Sequence, residues 1–309
     1  MTVTLERPTR ARRKKVDRRP RPAPRPAGPP TTADSASAVL STSFTMIAIV
    51  CLWMAAQLLF LGSISQHRAQ DLLYHELRGD LAGATAPVGP VVPVGDPVAL
   101  LTIPSIGLEQ VVVEGTASGD LLAGPGHRRD TVLPGQVGTS VVYGRAATYG
   151  APFADLTDVS AGDEIDVVGA QGSTTYTVLG VRRAGDPLPQ PVAEGAGRLT
   201  LVTAEGSGRL GAIAPESAVY VDADATKAFP APPGRPAAVP DSEKAMAADD
   251  GALPLLALCL ALLLALTLGV VAARQRWSTA LVWVVASPLA IALSWASTDV
   301  VMRLLPNLI

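Results

Sequence analysis

Cysteine, histidine and aromatic side chains are all scarce in this chain. Its 309 residues hold two cysteines and three histidines, with Phe, Trp and Tyr together at 4%. Cys51 and Cys259 both lie inside apolar runs, so they form no disulfide framework for an outer domain, and neither sits beside a base. His67 and His75 are two turns apart on a helical stretch, too far for a metal pair and without further ligands. No phosphate loop and no Gly-x-Gly-x-x-Gly before a helix occurs, so neither a metal nor a nucleotide cofactor is expected. Charged residues are also few, at 17%, against about 25% for a soluble globular domain.

What is abundant is apolar sequence, and it is unevenly placed. Three uncharged blocks, near residues 44–61, 254–273 and 277–297, are each long enough for a bilayer-spanning helix. The first reads as an uncleaved signal anchor because Leu58–Leu61 runs into Gly62 and Ser63 without a small-residue cleavage site. Residues 1–30 carry ten Arg or Lys against Glu6 and Asp17, a balance of +8, which leaves −10 for the remainder of a chain whose net charge is −2. A basic arm directly before an apolar span sets orientation rather than binding nucleic acid. Arg274 and Arg276 make the loop between the last two blocks basic as well. Both signals put the N-terminus in the cytoplasm, and the central domain and the C-terminus outside. Asp299 and Arg303, one turn apart, read as a pair at the outer interface.

The expected organisation follows. Residues 1–38 are a basic Pro-rich tail, 39–62 a membrane anchor, and 63–98 a juxtamembrane helix and linker. Residues 99–226 form the outer domain, 227–252 a Pro/Ala-rich linker, and 253–273 and 277–297 two further spans. Within the domain, short Val- and Ile-rich runs are punctuated by Gly or Pro every eight to twelve residues, the pattern of short strands in a closed or sandwiched β domain. Strands are expected at 100–103, 110–114, 140–143, 164–168, 174–181, 199–203 and 218–221. A hairpin should turn at Gly169–Gly172, and a helical turn should form at Leu121-Leu122. Phe153, Leu156 and Val159 recur at about one turn and predict a small helix across the barrel. Residues 184–198 predict a long loop at a site rim.

Five blocks occur in a telling order: Leu101–Leu108, Val111–Thr116, Gly124–His127, Leu133–Gln136 and Thr148–Phe153. Their wording resembles the extracytoplasmic domain of actinobacterial sortases of the class D and E kind, over roughly residues 100–225. The resemblance implies a sortase-like closed β-barrel with short helices. It also implies covalent acyl transfer by a cysteine thiolate, a histidine acid/base and an arginine that steadies developing charge. In the similar sequences the histidine ends the strand before Thr-Tyr-Gly-Ala-Pro-Phe, where this chain has Arg145. The cysteine follows Leu-Thr-Leu-x-Thr, where Leu199–Thr203 leads into Ala204. Arg209 corresponds to the family arginine only through an altered spacing.

Alanine cannot attack a carbonyl, and an arginine with a pKa above ~12 cannot shuttle protons near neutrality. The resemblance therefore implies a domain that keeps the fold without the reaction. Its groove would be lined by Tyr143, Arg145 and Glu205, with Arg145 either paired to Glu205 or holding a peptide carboxylate or backbone. Such a protein would serve as a binding or assembly module for a membrane or surface protein, an active sortase or a sorting-signal protein among them. The enzymatic alternative is a hydrolase or transpeptidase built on Thr203 or Ser207 with His127, the domain's only histidine.

Overall fold

The computed structural model describes residues 52–53, 55–206, 215–274 and 276–309. The basic tail and most of the expected first span, 39–62, lie outside the described residues, as do Ser207 and Arg209.

Eight strands form the domain: β1 (Pro97–Ile103), β2 (Leu108–Glu114), β3 (Gly126–His127), β4 (Gly138–Tyr143), β5 (Glu164–Gly169), β6 (Gly172–Arg182), β7 (Gly197–Glu205) and β8 (Ser217–Ala225). They close in the order β1-β2-β3-β4-β7-β8-β6-β5, with β5 returning to pair with β1 and the two-residue β3 leaving the start of β2 without a strand on that side. All pairings are antiparallel except β2 with β3 and β4 with β7. The β5–β6 hairpin turns at Ala170 and Gln171, between the paired Gly169 and Gly172.

Period-two alternation gives the barrel an inside and an outside. Leu101, Ile103, Val142, Phe153, Ile165, Tyr176, Leu199, Leu201 and Val221 fill the interior. The Tyr176 hydroxyl donates to no side chain there; it accepts from the Gly135 N–H at 2.7 Å, and burial pushes its pKa up to about 12. A second cluster, Leu121, Tyr143, Ala146, Val202, Ala204 and Leu308, lies on the opposite parity of β4 and β7. It is the outer face of those strands, covered by other parts of the chain.

Three α-helices accompany the barrel among the described residues: α1 (Gly62–Gly83), α2 (Leu253–Arg274) and α3 (Thr279–Arg303). α1 caps the free edge of β2. The Gln70 side chain donates to the carbonyls of Val111 and Ala123 and accepts from the Val111 N–H at 2.7 Å, so one amide stands in for a neighbouring strand. α1 ends where Ala84 adopts φ 55° and Thr85 N donates back to Asp80 O. α2 and α3 are the two helices, not three, that are long and apolar enough to cross a bilayer among the described residues. Leu255, Leu258, Leu262, Leu268, Val284 and Leu289 stand exposed along them.

Several expectations are corrected. The helix predicted from Phe153, Leu156 and Val159 is a single 3-10 turn, Leu156–Asp158. A spacing of three residues serves a tight turn as well as a helix, and Tyr149, Gly150 and Ala151, all at positive φ, break the chain just before it. β3 was not expected, because two residues after Gly-Pro read as loop. The last apolar segment runs unbroken through Pro288 to Arg303, beyond the expected end at 297. Asp299 takes its hydrogen bond from the Tyr149 hydroxyl, while Arg303 lies against Gly119. Both residues bind the barrel instead of each other.

Candidate functional site

The parallel ladder between β4 and β7 pairs Tyr143 with Val202. Carried two residues further, the same register sets Arg145 opposite Ala204. The two positions singled out in the sequence are therefore neighbours, on the outer face where both strands end. Gly144 is required between them, since a side chain there would run into the Phe153 ring.

Arg145 is the largest fully buried side chain among the described residues. Its Nη2 donates to the Ser118 carbonyl and hydroxyl at 2.7 and 2.8 Å, and its Nη1 to Thr148 Oγ1 and the backbone oxygen of Ile309 at 3.1 and 2.9 Å. The Tyr149 ring lies 5.9 Å from the guanidinium. No acidic side chain pairs with it among the described residues, and burial pulls its pKa down to about 10. A buried cation is costly unless the oxygens that hold it are fixed in place. Ser118 is fixed, because its hydroxyl also donates to Met302 O at the end of α3.

The expected pairing of Arg145 with Glu205 does not occur. Glu205 receives two hydrogen bonds from Arg183, at 2.5 and 2.9 Å, on the exposed side of the β7 end. That pairing lowers the Glu205 pKa. Arg183 follows β6, and nothing in the local sequence marks it as the closer cation. Tyr143 does line the covered face, buried beside Ala204 and Leu308. The loop 184–198 begins beside the Arg183–Glu205 pair, and its Asp186, Pro187 and Pro189 flank an open depression of about 280 Å³ against β6.

Of the alternative nucleophiles, Thr203 is not brought to His127, and Ser207 lies outside the described residues. Thr203 has the interior parity of Leu199 and Leu201, opposite to Ala204, and its hydroxyl donates to Phe153 O at 3.4 Å. His127 is 1% exposed, with Nδ1 at 2.7 Å from Glu114 Oε2 and Nε2 at 2.8 Å from Val132 O. Both ring nitrogens are thereby committed to fixing the loop after β3. Cys259, the described cysteine, is buried between α2 and α3 with Ala252 and Val300.

Sequence reasoning missed the partners of Arg145. A second layer covers the outer face, made from the loop after β2, the segment before α2, and residues 304–309. Thr116 Oγ1 donates to Glu243 O at 2.7 Å, and Arg129 pairs with the Glu243 carboxylate, its Nε at 3.0 Å. Asp120 lies beneath them, its carboxylate accepting from Ala117 N at 3.1 Å. Burial, opposed by that backbone bond and reinforced by Glu243, pushes its pKa up to about 6.

The chain's similarity to known proteins follows the same map. Residues 101–220 match the family model of the sortase domain. Sortase D of Bacillus subtilis (strain 168) is 32% identical over 80 residues, 26% of this chain and 39% of that protein. The match thus spans about two fifths of the relative's length. Among solved structures, a Clostridium perfringens sortase D5 transpeptidase is 18% identical at a TM-score of 0.41, covering 52% of this chain and 97% of its own. The SrtA sortase from Actinomyces oris is 26% identical at a TM-score of 0.38, covering 45% of this chain and 85% of its own. From β1 into β8, then, the barrel carries the sequence pattern of a sortase domain.

Proposed function

We propose that this protein is a membrane-anchored, sortase-like module at the cell surface that binds a partner and performs no acyl transfer. One observation carries the reading. At the paired ends of β4 and β7, where the resemblance calls for a histidine and a cysteine, the chain sets a buried arginine opposite an alanine. Arg145 can hold a carbonyl or carboxylate oxygen but cannot relay a proton, and residues 99–226 contain no thiol. The fitting partners are a membrane or surface protein, with an active sortase or a sorting-signal protein the natural classes.

The helix pair supports the anchored topology. Ser118 bonds to Met302 and Tyr149 to Asp299, so the end of α3 meets the barrel, and Asp249 N donates to Arg303 O at 2.9 Å, which holds the start of α2 beside it. The turn with Arg276 then falls at the far end, consistent with a basic cytoplasmic loop. A Thr203–His127 hydrolase is not favoured, because the two side chains belong to different hydrogen-bonding sets.

The test is to incubate the full chain, in detergent or nanodiscs, with a sorting peptide and an amine acceptor, and to follow the peptide by mass spectrometry. The peptide is expected to stay intact. Cleavage that persists after thiol alkylation would refute the non-catalytic reading.

A further inference from the structure

After Arg303 the chain leaves α3 and folds back across the outer face of β4 and β7. Pro306 stops the helix, and Pro306 to Ile309 form a tight turn closed by Ile309 N donating to Pro306 O at 3.2 Å. Asn307 and Leu308 are fully buried there. Asn307 N donates to Ala247 O at 2.9 Å, and its Nδ2 donates to Thr116 O and Lys244 O at 2.7 and 2.9 Å. Ala146 N donates to Leu308 O at 2.9 Å, and Leu308 sits in one cluster with Tyr143, Val202 and Ala204. Arg145 and Thr148 both donate to the Ile309 oxygen. The turn is thus read at three points: a primary amide between two carbonyls, an aliphatic side chain over Ala204, and a backbone oxygen on a buried cation.

We propose that this cleft is a receptor for a short turn-forming peptide of the form Pro-Asn-aliphatic-aliphatic, and that residues 306–309 are its tethered ligand. The inference deepens the binding function proposed above and rests on it only in taking the bound peptide to remain whole. One feature loosens the tethered ligand, and the tether opposes its displacement only in part. Asn307 Oδ1 and Arg145 Nε are both buried without a hydrogen-bond partner, so the in-chain complex is imperfectly satisfied. A tether also holds its ligand at an effective concentration of order mM, which raises the apparent Kd of a free competitor without abolishing its binding. Opening the cleft requires release of the turn, which breaks the bonds from Arg145 and Thr148 to the Ile309 oxygen while Ser118 still joins Arg145 to Met302.

The experiment compares the full chain with its Asn307→Asp variant. This swap conserves volume but replaces two N–H donors with an anion facing two carbonyls. A fluorescent Leu-Leu-Pro-Asn-Leu-Ile peptide is titrated against each protein by anisotropy. The variant is expected to bind at least about ten-fold more tightly than the unaltered chain, since the tethered competitor is weakened. Cleft opening is read separately with Ala204→Cys in both backgrounds, where thiol labelling is expected to quicken about ten-fold or more with Asn307→Asp. Equal labelling rates would overturn the proposal, because Asn307 would not hold the turn. Faster labelling without peptide binding would overturn it too, because the opened cleft would not be a receptor. Equal peptide affinity in the two proteins would show that the turn does not compete. The recovered peptide is weighed at the end. A bound but shortened peptide would support the ligand assignment and refute the non-catalytic reading.

Discussion

The inside of the barrel and the outer face of β4 and β7 are equally well buried but follow opposite rules. The interior is filled almost entirely by aliphatic residues with Phe153 and Tyr176, so its cohesion comes from apolar area removed from water and from close packing. The outer face buries Arg145, Ser118, Thr148, Asn307 and Glu243 and half-buries Asp120, each needing a particular oxygen or N–H in a particular place. Removing a group from the first region leaves a void. Removing one from the second leaves an unmet polar partner and releases a segment. A region of the second kind suits exchange of one ligand for another, which is why the candidate site belongs there.

The largest effect should come from breaking the interior. Phe153→Ala empties a fully buried site that also spaces Gly144 and Thr203, and should cost about 3–5 kcal/mol of barrel stability. Thermal or denaturant unfolding of the full chain followed by circular dichroism measures it, and no outer-face contact should survive without the barrel.

A smaller effect, confined to the outer face, should follow pH. Asp120 has a folded pKa of about 6 against an ordinary 3.8, so the folded state binds its proton more tightly than the unfolded state does. Its favourable contribution is present below about 3.8 and is lost as pH rises through about 6. The groups facing it are Glu243, which opposes ionisation, and Arg129 and Arg303, which favour it. The unfolding midpoint should therefore decline between pH 4 and 6, and Asp120→Asn should flatten that slope. A slope unchanged in the variant would assign the titration to another group.

Much of the interior was legible in the sequence, because its rules are local. Val- and Ile-rich runs between Gly and Pro mark strands, whereas the pairing of β4 with β7, which brings Arg145 beside Ala204, came only with the structure. What escaped was non-local. Arg145 meets Ile309 across 164 positions, and Asn307 meets Thr116 across 191. A six-residue segment after an apolar helix reads as a trailing end, with no periodicity to announce that it folds back. The expected pairs Arg145–Glu205 and Asp299–Arg303 failed for the same reason. Each acid found a partner on another element, Arg183 and Tyr149, that nearness in sequence does not reveal.

The central claim is that the chain's own turn closes the cleft over Arg145 and Ala204. Amide hydrogen exchange at Ala146 tests it most directly, since that N–H donates to Leu308 O while its neighbours in β4 donate within the barrel. In the full chain Ala146 should exchange slowly, and in Asn307→Asp it should exchange at least about ten-fold faster while Val142 stays protected. Equal exchange at Ala146 in the two proteins would mean the turn does not hold the cleft shut, and the account would fail.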